Sequence, residues 1–255
     1  MKVLVSAGDA VTAKLVKEYG FDGIWVSGFE ACCRLGIPDN GTITMEQMLR
    51  ICEPIVKATD LPVYVDCDTG YRMTLFSMAY AFYNIGVRGI CVEDNIDDKE
   101  NSLFGGKMPL KDAEVFAEYI GETQASIEVI ARTEALIRGY GFGEAERRAR
   151  LYREAGADYV MIHSRDKTGI EAMELYNRGM TEEMPLVIVP TKFPTMKNDD
   201  FDELGYKMVI WANQTERCKI KATRECLESL KQDDNMLYVE AHLSASLEEM
   251  RGLMA

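Results

Sequence analysis

The chain has no basic block. Its 29 Lys and Arg stand against 42 Asp and Glu, a formal net charge of −13, which argues against nucleic acid or an anionic membrane as a partner. An anionic small molecule is still allowed, because a local arginine, a metal or a helix N-terminus decides binding of such a ligand. No stretch approaches the length of a membrane span, and Met1-Lys-Val-Leu-Val-Ser-Ala-Gly8 enters a strand directly without a signal-peptide profile. The expected location is therefore cytoplasmic. Histidine is scarce: with only His163 and His242, a two-histidine metal site at one mouth is not expected, and a zinc hydrolase reading is weak. The seven cysteines, Cys32, Cys33, Cys52, Cys67, Cys91, Cys218 and Cys226, are odd in number and form no Cys-x-x-Cys pair. They read as reduced, mostly buried thiols. No Gly-x-Gly-x-x-Gly follows the first strand, where a dinucleotide site would need its glycine turn.

What is present is a repeat of short apolar runs and amphipathic stretches, the pattern of parallel strands linked by helices. Eight strands are predicted: Lys2–Ser6, Gly23–Ser27, a third opening the run Val63-Tyr-Val-Asp-Cys-Asp-Thr-Gly70, then Gly89–Asp94, Ile127–Arg132, Asp158–His163, Pro185–Pro190 and Tyr206–Trp211. Thr44 followed by Gln47 is a capping-box start for a helix from Met45 to about Lys57. Phe29 to Ile43 shows little periodicity and is expected to be a long connection. At 255 residues with no Pro-, Gly- or Ser-rich linker, the chain fits one (β/α)₈ TIM-type barrel spanning 1–255. A lid segment is expected at 95–109 and a helical tail at 232–255.

In a barrel the C-terminal strand ends converge on one face. Asp66 and Asp68 are two apart in a strand-like run and so share a side, about 6.6 Å apart along the chain. Two carboxylates aimed at one region repel unless something positive lies between them. Capping of the next turn is the alternative. Glu93 from the neighbouring strand adds a third acid, and such a hard oxygen site suits Mg²⁺ or Mn²⁺. Since Mg²⁺ keeps several waters, one direct ligand is expected, Asp68, with the others acting through water. Arg132 and His163 bring positive charge or donors to the same rim, though Arg132 could equally serve a salt bridge to Glu93 or Glu134. Cys67 alternates away from the two aspartates and reads as core. Trp25 and the fifteen Met read as core or rim filling.

Several runs together resemble the phosphoenolpyruvate mutase branch of the isocitrate lyase superfamily: Trp25-Val-Ser-Gly28, Pro38-Asp-Asn40, Val65-Asp-Cys-Asp-Thr-Gly-Tyr71, Val92-Glu-Asp94, Lys99-Glu-Asn-Ser-Leu103, Ala131-Arg-Thr-Glu-Ala135, Ile162-His-Ser164, Ile188-Val-Pro-Thr-Lys192 and Val209-Ile-Trp-Ala-Asn213. The resemblance implies a barrel that binds Mg²⁺ and a 2-oxo acid or its enolate. It also implies homodimers or homotetramers whose last helix is swapped between subunits. Carried over by position, Asp68 would hold the metal directly, and Asp66 and Glu93 through water. Trp25 and Ser27, with the backbone of Gly28 and Phe29, would bind the substrate carboxylate end. Arg132, His163, Asn101 and Ser102 would surround a phosphoryl group, and Asp39 would act in catalysis at the site edge. The implied reaction interconverts phosphoenolpyruvate and phosphonopyruvate. A phosphonopyruvate hydrolase or a carbon-carbon lyase is the alternative, and Asn101, where the hydrolases place Thr, favours the mutase. The Lys-Lys-Cys-Gly-His or Lys-Arg-Cys-Gly-His run of the lyases is absent. Two departures stand out. Asn95 replaces a lysine that usually follows Glu-Asp, and Phe29-Glu-Ala-Cys-Cys33 replaces a small, Ser-rich run. Lys99 could stand in for the lost charge, although it matches a lysine the family already carries.

Overall fold

The computed structural model describes residues 1–97, 108–123 and 127–254. Eight parallel strands, β1 (Lys2–Ser6), β2 (Gly23–Val26), β3 (Val63–Asp66), β4 (Gly89–Glu93), β5 (Glu128–Thr133), β6 (Tyr159–Ile162), β7 (Leu186–Ile188) and β8 (Met208–Trp211), follow one another around a closed barrel. Closure is made by β1 against β8, with Leu4 opposite Ile210. The strands are apolar on both faces because both are covered. Leu4, Trp25, Tyr64, Cys91, Ile130, Met161, Val187 and Met208, one from each strand, pack together inside the barrel. The alternate residues, Val5, Ile24, Val65 and Val92 among them, pack outward with the helices.

The helices between strands are α1 (Ala10–Glu18), α2 (Gly28–Leu35), α3 (Met45–Ala58), α4 (Leu75–Asn84), α5 (Ala113–Gly121), α6 (Phe142–Glu154), α7 (Ile170–Asn177), α8 (Met180–Glu183) and α9 (Asn198–Glu203). After β8 come α10 (Gln214–Asp233), α11 (Leu237–His242) and α12 (Leu247–Met254). The Thr44–Gln47 capping box is present at the start of α3. The expected connection from Phe29 to Ile43 needs correction, since its first part is α2. Ser27 caps it at one end, and Gly36, at φ 67°, ends it in the left-handed conformation that suits glycine. At β4, Asn95 forms an isolated antiparallel bridge with Leu110, so the two ends of the expected lid meet. Lys99, Asn101 and Ser102 lie outside the described residues. Among the described residues no helix is long and apolar enough to cross a membrane.

Candidate active site

The chain leaves β3 at Asp66 and turns sharply. Asp68, Tyr71 and Arg72 all take positive φ, 51°, 54° and 57°, a conformation that costs a non-glycine residue roughly 1–2 kcal/mol. Such strain concentrates where geometry serves a site. Here it folds Asp68 back beside Asp66: the Asp68 N–H donates to Asp66 Oδ1 at 3.3 Å. Both carboxylates face the start of α2. A Cβ added to Gly28 would lie 3.4 Å from Asp66 Oδ2 and 3.4 Å from Asp68 Oδ1, so glycine lets the backbone approach both acids. Cys67 points the other way into the core. Burial and then the charge of Asp66 push its thiol well above the ordinary range, which leaves it inert.

Glu93 is buried on the neighbouring strand and already engaged. It lies 3.3 Å from Arg132 Nη2 and accepts from Asn95 Nδ2 at 2.8 Å. Among the described residues no three Asp, Glu, His or Cys side chains gather as direct metal ligands. Asp66 and Asp68 thus converge, while Glu93, expected to act through water, is ion-paired to Arg132. Two convergent hard oxygen donors fit a cation such as Mg²⁺, which keeps much of its water. The residues present fit the group.

At the same mouth, β5 and β6 deliver Arg132 and His163. The Arg132 Nε bonds Glu134, and its Nη2 lies 2.8 Å from His163 Nδ1. His163 Nδ1 also lies 2.8 Å from Glu134 Oε1, so it either accepts from the guanidinium or donates to the carboxylate. Burial opposes the charge on Arg132, but Glu134, Glu93 and Asp66 outweigh it and hold the guanidinium firmly protonated. Both halves of the sequence reading of Arg132 are therefore realised: it is ion-paired to Glu93 and Glu134, and it faces the cavity.

Trp25, Ser27, Phe29, Asp39, Asp66, Asp68, Arg132 and His163 line one cavity at the barrel mouth. Gly28 backs the aspartates and Glu93 lies behind Arg132. Thr191, Lys192 and Asn213 close the far wall. Two buried groups carry roles that the sequence did not indicate. Asp94 accepts from Thr133 Oγ1, the Glu134 N–H, Tyr152 Oη and Arg148 Nη1 at 2.7–3.0 Å, clamping the end of β4 to β5 and α6. Arg138 is fully buried and its Nε donates to Asn95 Oδ1 at 3.2 Å. A guanidinium thus stands behind Asn95, where the resemblance expects a lysine. Its signal was a lone charge in the apolar run Ala135-Leu-Ile-Arg138.

A closed parallel barrel with this mouth defines a (β/α)₈-barrel enzyme. The chain belongs to the phosphoenolpyruvate phosphomutase family, whose profile matches residues 1–231. It is 33% identical to a phosphoenolpyruvate phosphomutase of Tetrahymena pyriformis, covering 98% of this chain and 86% of that one. It is also 33% identical to a phosphonopyruvate hydrolase of a Variovorax species, covering 97% and 89%. A solved phosphonopyruvate hydrolase in complex with oxalate and Mg²⁺ superposes with a TM-score of 0.92 at 31% identity, covering 100% of this chain and 90% of that one.

Proposed function

We propose that the chain is a Mg²⁺-dependent phosphoenolpyruvate mutase that interconverts phosphoenolpyruvate and phosphonopyruvate. The observation that carries this reading is that one cavity is lined by both the acids Asp66 and Asp68 and the donors Arg132 and His163. A substrate with a carboxylate and C2 oxygen at one end and a phosphoryl group at the other matches that combination. In the forward direction the bond from phosphorus to the C2 oxygen breaks and one from phosphorus to C3 forms. Product and substrate are isomers, so no water is consumed.

Asp66 and Asp68, with Glu93 through water, would hold Mg²⁺ or Mn²⁺, and that cation supplies fixed positive charge to the oxygen-rich end of the substrate. Ser27 and the first N–H groups of α2 bind the carboxylate, as helix N-termini do with anions. Trp25 and Phe29 wall that end. Arg132 and His163 neutralise the migrating group, whose loose transition state needs positioning and charge stabilisation more than a strong base. Asp39 acts at the edge. The residue types of Asn101 and Ser102 give the phosphoryl group further donors. We also assign a homo-oligomeric state with the last helix exchanged, in keeping with the exposure of Leu227, Leu237, Leu247 and Met250 on the C-terminal helices. A cytoplasmic location completes the reading.

Phosphonopyruvate hydrolysis is the second reading, favoured by the equal identity to the Variovorax enzyme. Phosphorus NMR of phosphonopyruvate incubated with the enzyme and Mg²⁺ tests both. The mutase yields phosphoenolpyruvate. Inorganic phosphate appearing first overturns the mutase in favour of the hydrolase, and an unchanged spectrum overturns both.

A further inference from the structure

Glu30 is the third residue of α2, one past Phe29 and three past Ser27. Its N–H donates to Ser27 Oγ at 3.4 Å, and a glutamate in this place ordinarily completes a capping box by reaching back to the cap residue's N–H. Gln47 does so in α3, accepting from the Thr44 N–H at 2.9 Å. Glu30 instead turns to β1, where its Oε1 lies 2.9 Å from Ser6 Oγ. Ser6 Oγ lies 2.9 Å from Thr215 Oγ1 on α10, and Thr215 Oγ1 lies 2.9 Å from the Ser6 carbonyl oxygen. Glu30 is 2% exposed, and its buried Oε2 accepts no side-chain hydrogen bond among the described residues.

These contacts bear on the hydrogen count. Three oxygen–oxygen contacts at 2.9 Å are best served by three protons, and the hydroxyls of Ser6 and Thr215 supply two. With Glu30 ionised, Ser6 donates to Glu30 and the single Thr215 proton is shared between Ser6 Oγ and the Ser6 carbonyl. A proton on Glu30 completes the series. Glu30 then donates to Ser6 Oγ, Ser6 to Thr215 Oγ1, and Thr215 to the Ser6 carbonyl. The lack of a side-chain donor to Oε2 agrees, because a buried carbonyl oxygen in such a place costs less than half of a carboxylate.

We propose that Glu30 is a positioning residue that works as a neutral carboxylic acid, tying the Ser27–Gly28–Phe29 turn to the ends of β1 and α10. This rests on reading that turn as the grip for the substrate carboxylate. An ionised Glu30 would place negative charge one residue behind an anion site and weaken a link of the relay. The charged groups around it are Arg34 on α2, Glu216 and Lys219 on α10, and Asp9 before α1. Arg34 pairs with Asp9 at 2.8 Å and Glu216 at 2.5 Å, and Lys219 with Asp9 at 2.7 Å, so these groups satisfy one another. Burial raises the Glu30 carboxyl, and the Ser6 hydroxyl, which can donate to the ionised form, opposes it. The charge of Glu216 raises it further, while the Glu216 N–H and Arg34 lower it, leaving it at about 7.

The sign follows from proton linkage. The folded protein holds this proton to higher pH than the unfolded chain, so the stability that it lends is full in acid and is lost as pH rises through about 7. Two measurements on the full-length, Mg²⁺-loaded protein test the proposal. In the wild type the Glu30 carboxyl ¹³C resonance titrates near 7, and amide exchange over 27–35, corrected for the intrinsic base-catalysed rate, loses about tenfold in protection between about pH 6 and 9. Glu30→Gln keeps a neutral donor and holds its protection flat, whereas Glu30→Ala is unprotected throughout. Over the same range the KM for phosphonopyruvate rises about tenfold more in wild type than in Glu30→Gln, and the substrate's own ionisation cancels in that comparison. A carboxyl titrating in the ordinary range, or exchange in Glu30→Gln that follows wild type, overturns the proposal even if turnover is normal. The exchange signature without any turnover supports the latch and overturns the functional reading instead.

Discussion

At the N-terminal end of the barrel, Lys2 Nζ sits 3.3 Å from the Tyr64 hydroxyl and 3.2 Å from that of Tyr159. Tyr64 in turn donates to Glu128 at 2.6 Å, and Arg88 meets the same carboxylate at 2.5 Å. Glu128 is ion-paired, Lys2 is held by two hydroxyls, and no residue of this group takes a positive φ. At the C-terminal end Asp66, Asp68, Glu93 and Glu134 are all buried around Arg132 and His163, and the backbone after β3 is strained. The two ends share the same strands, but the first is partly open to solvent and the second is buried. One is balanced and relaxed, as a structural plug should be, while the other gathers acids that favour an added cation. In barrels of this kind the first end serves stability and the second chemistry.

The largest test of that contrast is removal of the cation. Exhaustive chelation lowers the interconversion of phosphonopyruvate and phosphoenolpyruvate by more than about a hundredfold, and added Mg²⁺ restores it. Activity that survives chelation, read by phosphorus NMR, would mean the acids of the mouth are merely paired like those of the floor. Next comes Arg132→Lys. The charge is retained, but one ammonium cannot meet Glu93, Glu134 and His163 together. Turnover falls by about 10²-fold, and the melting temperature falls too, because a buried glutamate loses part of its pairing. A large loss of melting temperature with little loss of turnover would reverse the assignment.

Gly28→Ala sharpens the picture more gently. Its methyl group would sit 3.4 Å from an oxygen of each aspartate, within ordinary contact but in the space between the acids and the start of α2. The Mg²⁺ concentration for half-maximal activity rises about tenfold, equivalent to about 1.4 kcal/mol of binding. An unchanged Mg²⁺ requirement would show that the acids do not meet the cation on the α2 side.

The sequence made the strands legible because each is covered on both faces and so reads as an unbroken apolar run. The acids at their ends were legible as well, since a charge that closes such a run has few places to go but the mouth. What stayed hidden depended on contacts between distant parts. α2 was missed although Ser27-x-x-Glu30 carries a capping-box pattern, because Cys32 and Cys33 blurred its periodicity. The pairing of Glu93 with Arg132, one of the two salt bridges weighed from the sequence, follows from the β4–β5 register. The roles of Arg138 and Asp94 follow from burial against Asn95 and Arg148, which spacing alone does not disclose.

The smallest effect belongs to the floor. Tyr64→Phe removes one hydroxyl and leaves Glu128 paired with Arg88 and Lys2 bonded to Tyr159, so no buried charge is stranded. The net value of such a bond is about 1 kcal/mol, which lowers the melting temperature by about 2–4 °C in a chain of this size. The ring still fills the barrel interior beneath Trp25 and Cys91, so turnover stays within about twofold of wild type. Calorimetry and the phosphorus assay on the same preparation check both halves. A fall in turnover much beyond that, at an unchanged melting temperature, would mean that the balanced end of the barrel governs the geometry of the acidic one.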